Sequence, residues 1–234
     1  MYRTYIKTLS ENKLLRGIEP NEMEHLLGCM RPVTRKYKKG DVAAVEGRDL
    51  FGIGLVLFGT MGILKTGITG NRIILGSVGK GDLFGETAAF APERLWPATV
   101  ESLTDSMVMY IIPGSIVRQC SNACEAHRII QQNMLGILSE KAVNLTKRIE
   151  YMAIKGLKTK ICTYIYNIYL KTGKSIIDLP LKRYELAEFF NVERPSLSRE
   201  MINLRDAGIL LFSGRQIEIL DPVGMKKIAE GNRL

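Results

Sequence analysis

Leu181-Lys-Arg-Tyr-Glu-Leu-Ala-Glu-Phe-Phe-Asn-Val-Glu-Arg-Pro-Ser-Leu-Ser-Arg-Glu-Met-Ile-Asn-Leu-Arg205 reads as two short helices joined by a tight turn. Leu186, Ala187 and Phe190 recur at helical spacing, and Ala187 is small enough to let a second helix cross closely. The turn falls at Asn191-Val192. Asn tolerates a positive φ better than any residue except Gly, and Val192 is the expected buried plug. The second helix begins near Glu193, with Pro195 in its first turn, where a missing N–H costs nothing. Leu197, Met201 and Leu204 form its buried stripe, leaving Arg194, Ser196, Ser198 and Arg199 on the opposite face. Arg can bind guanine O6 and N7 bidentately, Ser can pair with several base edges, and either can hold a phosphate. This is a helix-turn-helix pattern, whose second helix would enter the major groove of double-stranded DNA. Any amphipathic helix pair with solvated charged faces looks similar, so the sequel matters. Ala207-Gly208 is a helix stop. Ile209 to Phe212, Ser213-Gly214-Arg215 and Gln216 to Leu220 then read as a hairpin. Helix-turn-helix plus hairpin is a winged helix. The expected DNA-binding domain is 156–234, and its candidate DNA-binding residues are Arg194, Pro195, Ser196, Ser198 and Arg199.

Working toward the N-terminus, Leu157, Ile161, Tyr164, Ile165 and Ile168 define a helix ending at Thr172-Gly173 that would brace this motif. Lys158 and Lys160 near its start suit either phosphate contacts or a solvated face. Gly156 separates it from a longer helix, and Lys155 to Lys158 is the expected hinge. In the longer helix Leu135, Leu138, Ala142, Leu145, Ile149 and Met152 recur at spacings of three and four, a heptad seam. Ile130, Met134 and Ile137 form a second stripe, able to pack back on the preceding domain. Residues 126–155 are therefore expected to be a dimerisation helix and hinge, with those six seam residues at a homodimer interface. The alternative is a long core helix packed within one chain. DNA-reading helices usually come in pairs on two half-sites, which favours the dimer.

From Arg31 to about Pro113 the character is different. Short apolar runs such as Ile53 to Phe58, Arg72 to Leu75 and Ser106 to Ile112 alternate with glycine turns. That spacing predicts an all-β sandwich or barrel. Before it, Met1 to Met30 reads as two helical pieces broken at Gly17-Ile18-Glu19-Pro20, with Asn21 as the cap of the second. The fold class is thus α+β: an N-terminal β-roll (jelly-roll-like) with a helical lead over 1–125, a long helix and a winged helix-turn-helix.

The bulk properties agree with two globular domains. The 234 residues carry a net charge of +9, which suits an anionic partner. The excess is spread over both halves, so the pattern carries the argument rather than the charge. No apolar run approaches the roughly 20 residues that span a bilayer, and the N-terminus lacks the apolar core of a signal peptide, which predicts a cytoplasmic protein without membrane contact. Cys29, Cys120, Cys124 and Cys162 show no C-x-x-C spacing, and His25 and His127 are far apart in sequence and expected at the surface, so no metal site is expected. Reduced thiols are the default, with Cys120 and Cys124 as the one candidate redox pair. P-loop, H-E-x-x-H and G-x-S-x-G motifs are missing, so no enzyme is expected.

The order of parts, over nearly the whole chain, resembles the CRP/FNR family of bacterial transcription regulators. Two motifs carry the resemblance: the helix-turn-helix, with Arg194, Ser198 and Arg199 at base-reading positions of the family, and Gly81-Asp-Leu-Phe-Gly-Glu-Thr-Ala-Ala-Phe90 followed by Pro97-Ala-Thr-Val100. The second is similar to the phosphate-binding cassette of cyclic-nucleotide domains, in which a Gly-Glu pair and a helix N-terminus cradle the ligand. The resemblance implies a homodimer on a two-fold symmetric operator, RNA polymerase contact if the protein is an activator, and an effector bound between the β-roll and the long helix. Gly85, Glu86, Arg94, Trp96, Leu138, Leu145 and Thr146 are its candidate effector-binding residues, and the effector is a small molecule of unknown identity rather than a resident cofactor.

Departures from the family pattern bear on that effector. Cyclic-nucleotide binders carry Arg-Ser or Arg-Thr where this chain has Trp96-Pro97, and Arg94 lies two residues early. The adenine-contacting hydroxyl pair aligns with Leu145-Thr146, so half of it remains. These departures predict an effector other than cyclic AMP. Trp96 reads either as the lining of an apolar pocket for a planar organic effector or as a plain core residue. Only Cys29 precedes the β-roll, which disfavours the family's iron–sulfur branch, and two scattered histidines give a haem sensor little support. Pro195 replaces a Glu of the family's familiar members, which predicts a changed base preference. The alternatives are a redox-switched or constitutive regulator using Cys120 and Cys124, a cyclic-nucleotide-responsive regulator, and a ligand-binding module with a degenerate helix-turn-helix.

Overall fold

The computed structural model describes residues 5–67, 72–118 and 124–231. The helical lead comprises α1 (Ile6–Glu11) and α2 (Pro20–Met30). Glu19, not Asn21, is the N-cap of α2, because Pro20 takes the first helical position. Strands β1 (Val33–Tyr37), β2 (Val42–Ala44), β3 (Ile53–Phe58), β4 (Met61–Thr66), β5 (Arg72–Val78) and β6 (Leu83–Phe84) follow. Next come a short helix α3 (Glu86–Ala89), strands β7 (Thr99–Ser102) and β8 (Ser106–Ile111), and a one-turn helix α4 (Pro113–Val117). The strands form two four-stranded antiparallel sheets, ordered β1-β8-β3-β6 and β2-β7-β4-β5. Apart from the β4–β5 pair, sequence neighbours are thus split between sheets, the double-layered arrangement expected of a jelly-roll-like β-roll.

Burial explains why β3 lacks the alternation of a half-exposed strand: Ile53, Gly54, Leu55, Val56 and Leu57 are all buried, and only Phe58 is exposed. Gly54 leaves room for the Phe84 ring, which lies where its Cβ would be. Gly59, at φ +84, turns the chain out of β3 against the backbone of Asp105 and Ser106.

Helix α5 (Glu125–Ala153) is a single 29-residue helix. Contacts divide the chain inside it, into compact units Met1–Glu140 and Lys141–Leu234. In the first unit, Ala126, Ile130, Met134 and Ile137 join the β-roll core together with Leu26, Leu27 and Met30 of α2. Asn133 Nδ2 donates to the carbonyls of Leu14 (3.0 Å) and Arg16 (2.8 Å), tying the helical lead to α5. The six seam positions behave differently: Leu135, Ala142, Leu145, Ile149 and Met152 are exposed and Leu138 is half-buried.

The second unit contains α6 (Leu157–Thr172), β9 (Ile176–Asp178), α7 (Arg183–Phe190), α8 (Arg194–Asp206), β10 (Leu210–Ser213), β11 (Gln216–Ile219) and α9 (Pro222–Ala229). Gly156 at φ +82 caps α6, and Gly173 at φ +65 ends it. The hairpin β10–β11 gains a third strand, β9, in the order β10-β11-β9. Phe190, Leu186, Leu197, Met201, Leu204 and Ile165 are fully buried at the centre of this unit. No described helix is long and apolar enough to cross a membrane.

Gly59→Ala would combine a strained φ with a clash against Ser106 and the Asp105 carbonyl. We expect a loss of roughly 2–4 kcal/mol, read as a lower urea midpoint; an unchanged midpoint would mean that this turn is not tightly held.

Candidate functional site

Helix α8 presents the candidate DNA-reading face. Glu193 is its N-cap, with Arg194 and Pro195 in the first turn. Arg194, Pro195 and Arg199 are exposed, and Ser196 and Ser198 are half-buried. All five thus come together on the first two turns of one helix, opposite the buried Leu197, Met201 and Leu204. The turn that sets this helix is built as its sequence suggests: Asn191 adopts φ +54, and the Val192 N–H donates to the Ala187 carbonyl at 3.0 Å. Val192 is half-buried rather than a fully buried plug.

The preceding helix is anchored at both ends. At the start of α7, the Glu185 carboxylate accepts from the Lys182 backbone N–H at 2.6 Å, a contact that holds its carboxyl below the usual carboxylate range. The Arg183 guanidinium stacks over the Phe212 ring at 4.9 Å, joining the start of α7 to wing strand β10. At the other end, Arg148 of α5 donates from Nη2 to the Glu188 carbonyl at 2.9 Å. Such a cation on the last-turn carbonyls is favourable for any helix. Sequence reasoning missed Arg183 and Arg148, because both partners are remote in the chain. It also missed β9, whose three residues are too few to show a period.

The cassette has a different character. Gly85, at φ +82, caps α3, and Glu86, its first helical residue, is 1% exposed. A Cβ at Gly85 would fall 2.7 Å from Cζ3 of Trp96. Trp96 is 3% exposed, and its ring lies 5.9 Å from Phe84 and 6.0 Å from Phe51 between centroids. Of the two readings of Trp96, the core residue is what is found: the indole covers Gly85 on the approach that a Cβ would otherwise fill. Arg94 is exposed, with φ +49, and its carbonyl accepts from Leu50 N at 2.7 Å. Leu138 belongs to the same unit, whereas Leu145 and Thr146 lie in the second unit, where Thr146 Oγ1 donates to the Ala142 carbonyl at 3.1 Å.

The histidine expectation needs correcting. His127 is 6% exposed, not at the surface, and its Nδ1 lies 2.8 Å from Cys124 Sγ. Burial, and then the charge of His25, push the His127 imidazole pKa down. Among the described residues no group of three or more His, Cys, Asp or Glu could hold a metal. Cys120, the other half of the candidate redox pair, lies outside the described residues. Cys162 is buried, and burial pushes its thiol up to about 12.

Comparison with known proteins reflects this two-part build. The chain matches the cyclic nucleotide-binding domain over residues 34–123 and the Crp-like helix-turn-helix domain over residues 159–228. It belongs to the CRP/FNR family. It is therefore a DNA-binding transcription regulator in class, and CRP/FNR regulators are not enzymes. Solved structures share the fold at low identity. The Thermus thermophilus catabolite activator protein is 17% identical over 95% of this chain and 100% of that one, with a TM-score of 0.53. CprK complexed with OCPA is 15% identical over 88% and 93%, with a TM-score of 0.59. The c-di-GMP responsive global regulator CLP from Xanthomonas campestris is 19% identical over 87% and 100%, with a TM-score of 0.52. No curated protein matches the chain in sequence.

The buried thiol gives a pH test. Burial raises Cys162 from 9.0 to about 12 and Tyr164 from 10.0 to about 12, so each favours the fold only while neutral. Below pH 9 both the folded and unfolded chains keep these protons. Between about 9 and 12 only the unfolded chain ionises, and stability falls as pH rises. Urea melts should show that decline, and Cys162→Ala should make it shallower while Tyr164 keeps its share; an equal slope in the variant would contradict the assignment.

Proposed function

We propose that this CRP/FNR regulator acts as a homodimer switched by a small molecule other than cyclic AMP. The observation that carries the effector reading is Trp96 lying over Gly85 of the cassette. A cyclic phosphate needs a counter-charge at this point, and an indole supplies none. Arg94, the nearest cation in sequence, sits on an exposed turn two residues away. Relatives of this fold are described with unlike ligands, c-di-GMP for the Xanthomonas regulator and OCPA for CprK, so the scaffold itself does not impose cyclic AMP.

Dimerisation is supported by the exposed stripe on α5. Leu135 is 66% exposed, Leu145 60% and Ile149 59%, at heptad spacing on a single helix. Burying a large aliphatic side chain is worth roughly 1.5–3 kcal/mol, so leaving this row in water is costly. A second copy brings an identical stripe and an identical α8. Two recognition helices then face half-sites about one DNA turn, roughly 34 Å, apart on a two-fold symmetric operator. Within each half-site Arg194, Ser196, Ser198 and Arg199 are the proposed contacts, and Pro195 removes the acceptor that a Glu would offer to cytosine N4. The effector acts by differential affinity for two dimer arrangements, since a ligand that binds both equally switches nothing.

Random-site selection followed by binding titration tests DNA reading. Arg199→Ala should cost roughly 1–3 kcal/mol at the selected site, and Pro195→Glu should change the consensus at one symmetric pair of positions. Failure of the unmodified protein to select any DNA would point instead to a degenerate motif. For the seam, Leu145→Lys with Ile149→Lys should turn the dimer into a folded monomer in sedimentation velocity, with unchanged far-UV circular dichroism. A surviving dimer would remove α5 from the interface.

A further inference from the structure

One face of the second unit gathers aromatic rings and cations around a pocket of about 710 Å³. That volume is within the range of small-molecule sites. Its walls are the C-terminal part of α5, helix α6, the Pro180-Leu181 turn and helix α7. Tyr151, Tyr164 and Phe189 form an aromatic floor, with centroids 5.4–5.7 Å apart. Lys141, Lys147, Arg148 and Lys171 surround it, and no carboxylate is among the described lining residues. Tyr151 Oη accepts from Asn167 Nδ2 at 3.0 Å, which leaves its own O–H proton to donate.

Of the positions on α5 that line the pocket, Lys141, Asn144, Arg148 and Tyr151 recur at three, four and three, and Lys147 and the seam residue Leu145 complete the wall. Each ring offers an apolar face, and the ammonium and guanidinium groups attract an anion.

We infer that this pocket is a binding site for a planar aromatic anion, an aryl carboxylate or a similar acid. The inference rests on the effector-switched reading above and names a ligand class and a place for it. Its regulatory content is local. Phe189 of the floor precedes the buried Phe190 of α7, and Arg148 already holds the Glu188 carbonyl. An anion that drew Arg148 toward itself would change how the first helix of the DNA-reading motif is held.

The experiment is calorimetric titration of the full chain with 2-naphthoate, using neutral 2-naphthalenemethanol as the control. We expect saturable binding, one ligand per chain, with the alcohol at least about tenfold weaker. Lys147→Glu with Lys171→Glu, both at exposed positions, should weaken naphthoate by about tenfold or more. Asn144→Trp, also exposed, should block the pocket by bulk without touching its charges. Absence of saturable binding, equal binding of the alcohol, or naphthoate affinity unchanged in both variants would overturn the inference. So would binding that appears only on dilution to monomer, because a second copy would then be the true occupant. DNA selection without ligand reads the regulator function separately, so failure of that reading and failure of this site remain distinguishable.

Discussion

A helix can bury only as much of its circumference as its neighbours cover, and α5 has more apolar surface than one chain supplies. Ile130, Met134 and Ile137 are taken up by the β-roll core. The stripe from Leu135 to Met152 is not, apart from the half-buried Leu138, and its exposure persists across the point where the chain divides into two units. The first unit is organised around one face of this helix, and the proposed assembly around the other. A heptad row stays in register over its whole length because the helix is uninterrupted until Ala153.

The second unit depends on a smaller constraint, the left-handed turn at Asn191. That single φ aims α8 so that Leu197, Met201 and Leu204 meet Leu186, Ala187 and Phe190, and the arginines are left outside. Short range suffices here, which is why the two helices and turn were legible in the sequence: their apolar positions, turn residue and stop signal all lie within 25 consecutive residues. The two-sheet β-roll was legible as a class, through glycine turns and short apolar runs, but its strand order was not. Pairings such as β1 with β8 join residues more than sixty positions apart, and nothing in a local window encodes them.

The same distinction separates what was read at the sites from what was not. The candidate DNA-facing residues share two turns of one helix, so periodicity alone gathers them. Trp96 lies eleven residues from Gly85, and only the fold decides whether the indole lines a space or fills one. His127 was misread because burial depends on what α2 brings up to the start of α5, not on its neighbours in sequence. The basic and aromatic pocket draws on positions from Lys141 to Phe189, each ordinary on its own helix.

The packing of Trp96 has an optical consequence. It is the chain's only tryptophan and belongs to the first unit, while Tyr151, Tyr164, Tyr166, Tyr169 and Tyr184 belong to the second. Excitation at the red edge of protein absorbance therefore addresses the β-roll alone. An indole held against Gly85 and Phe84 emits from an apolar surrounding, and any rearrangement of the cassette that admits water shifts its emission to longer wavelength. The protein thus carries its own fluorescent label in the cassette of its first unit, while the DNA-binding unit stays spectrally silent in the same channel.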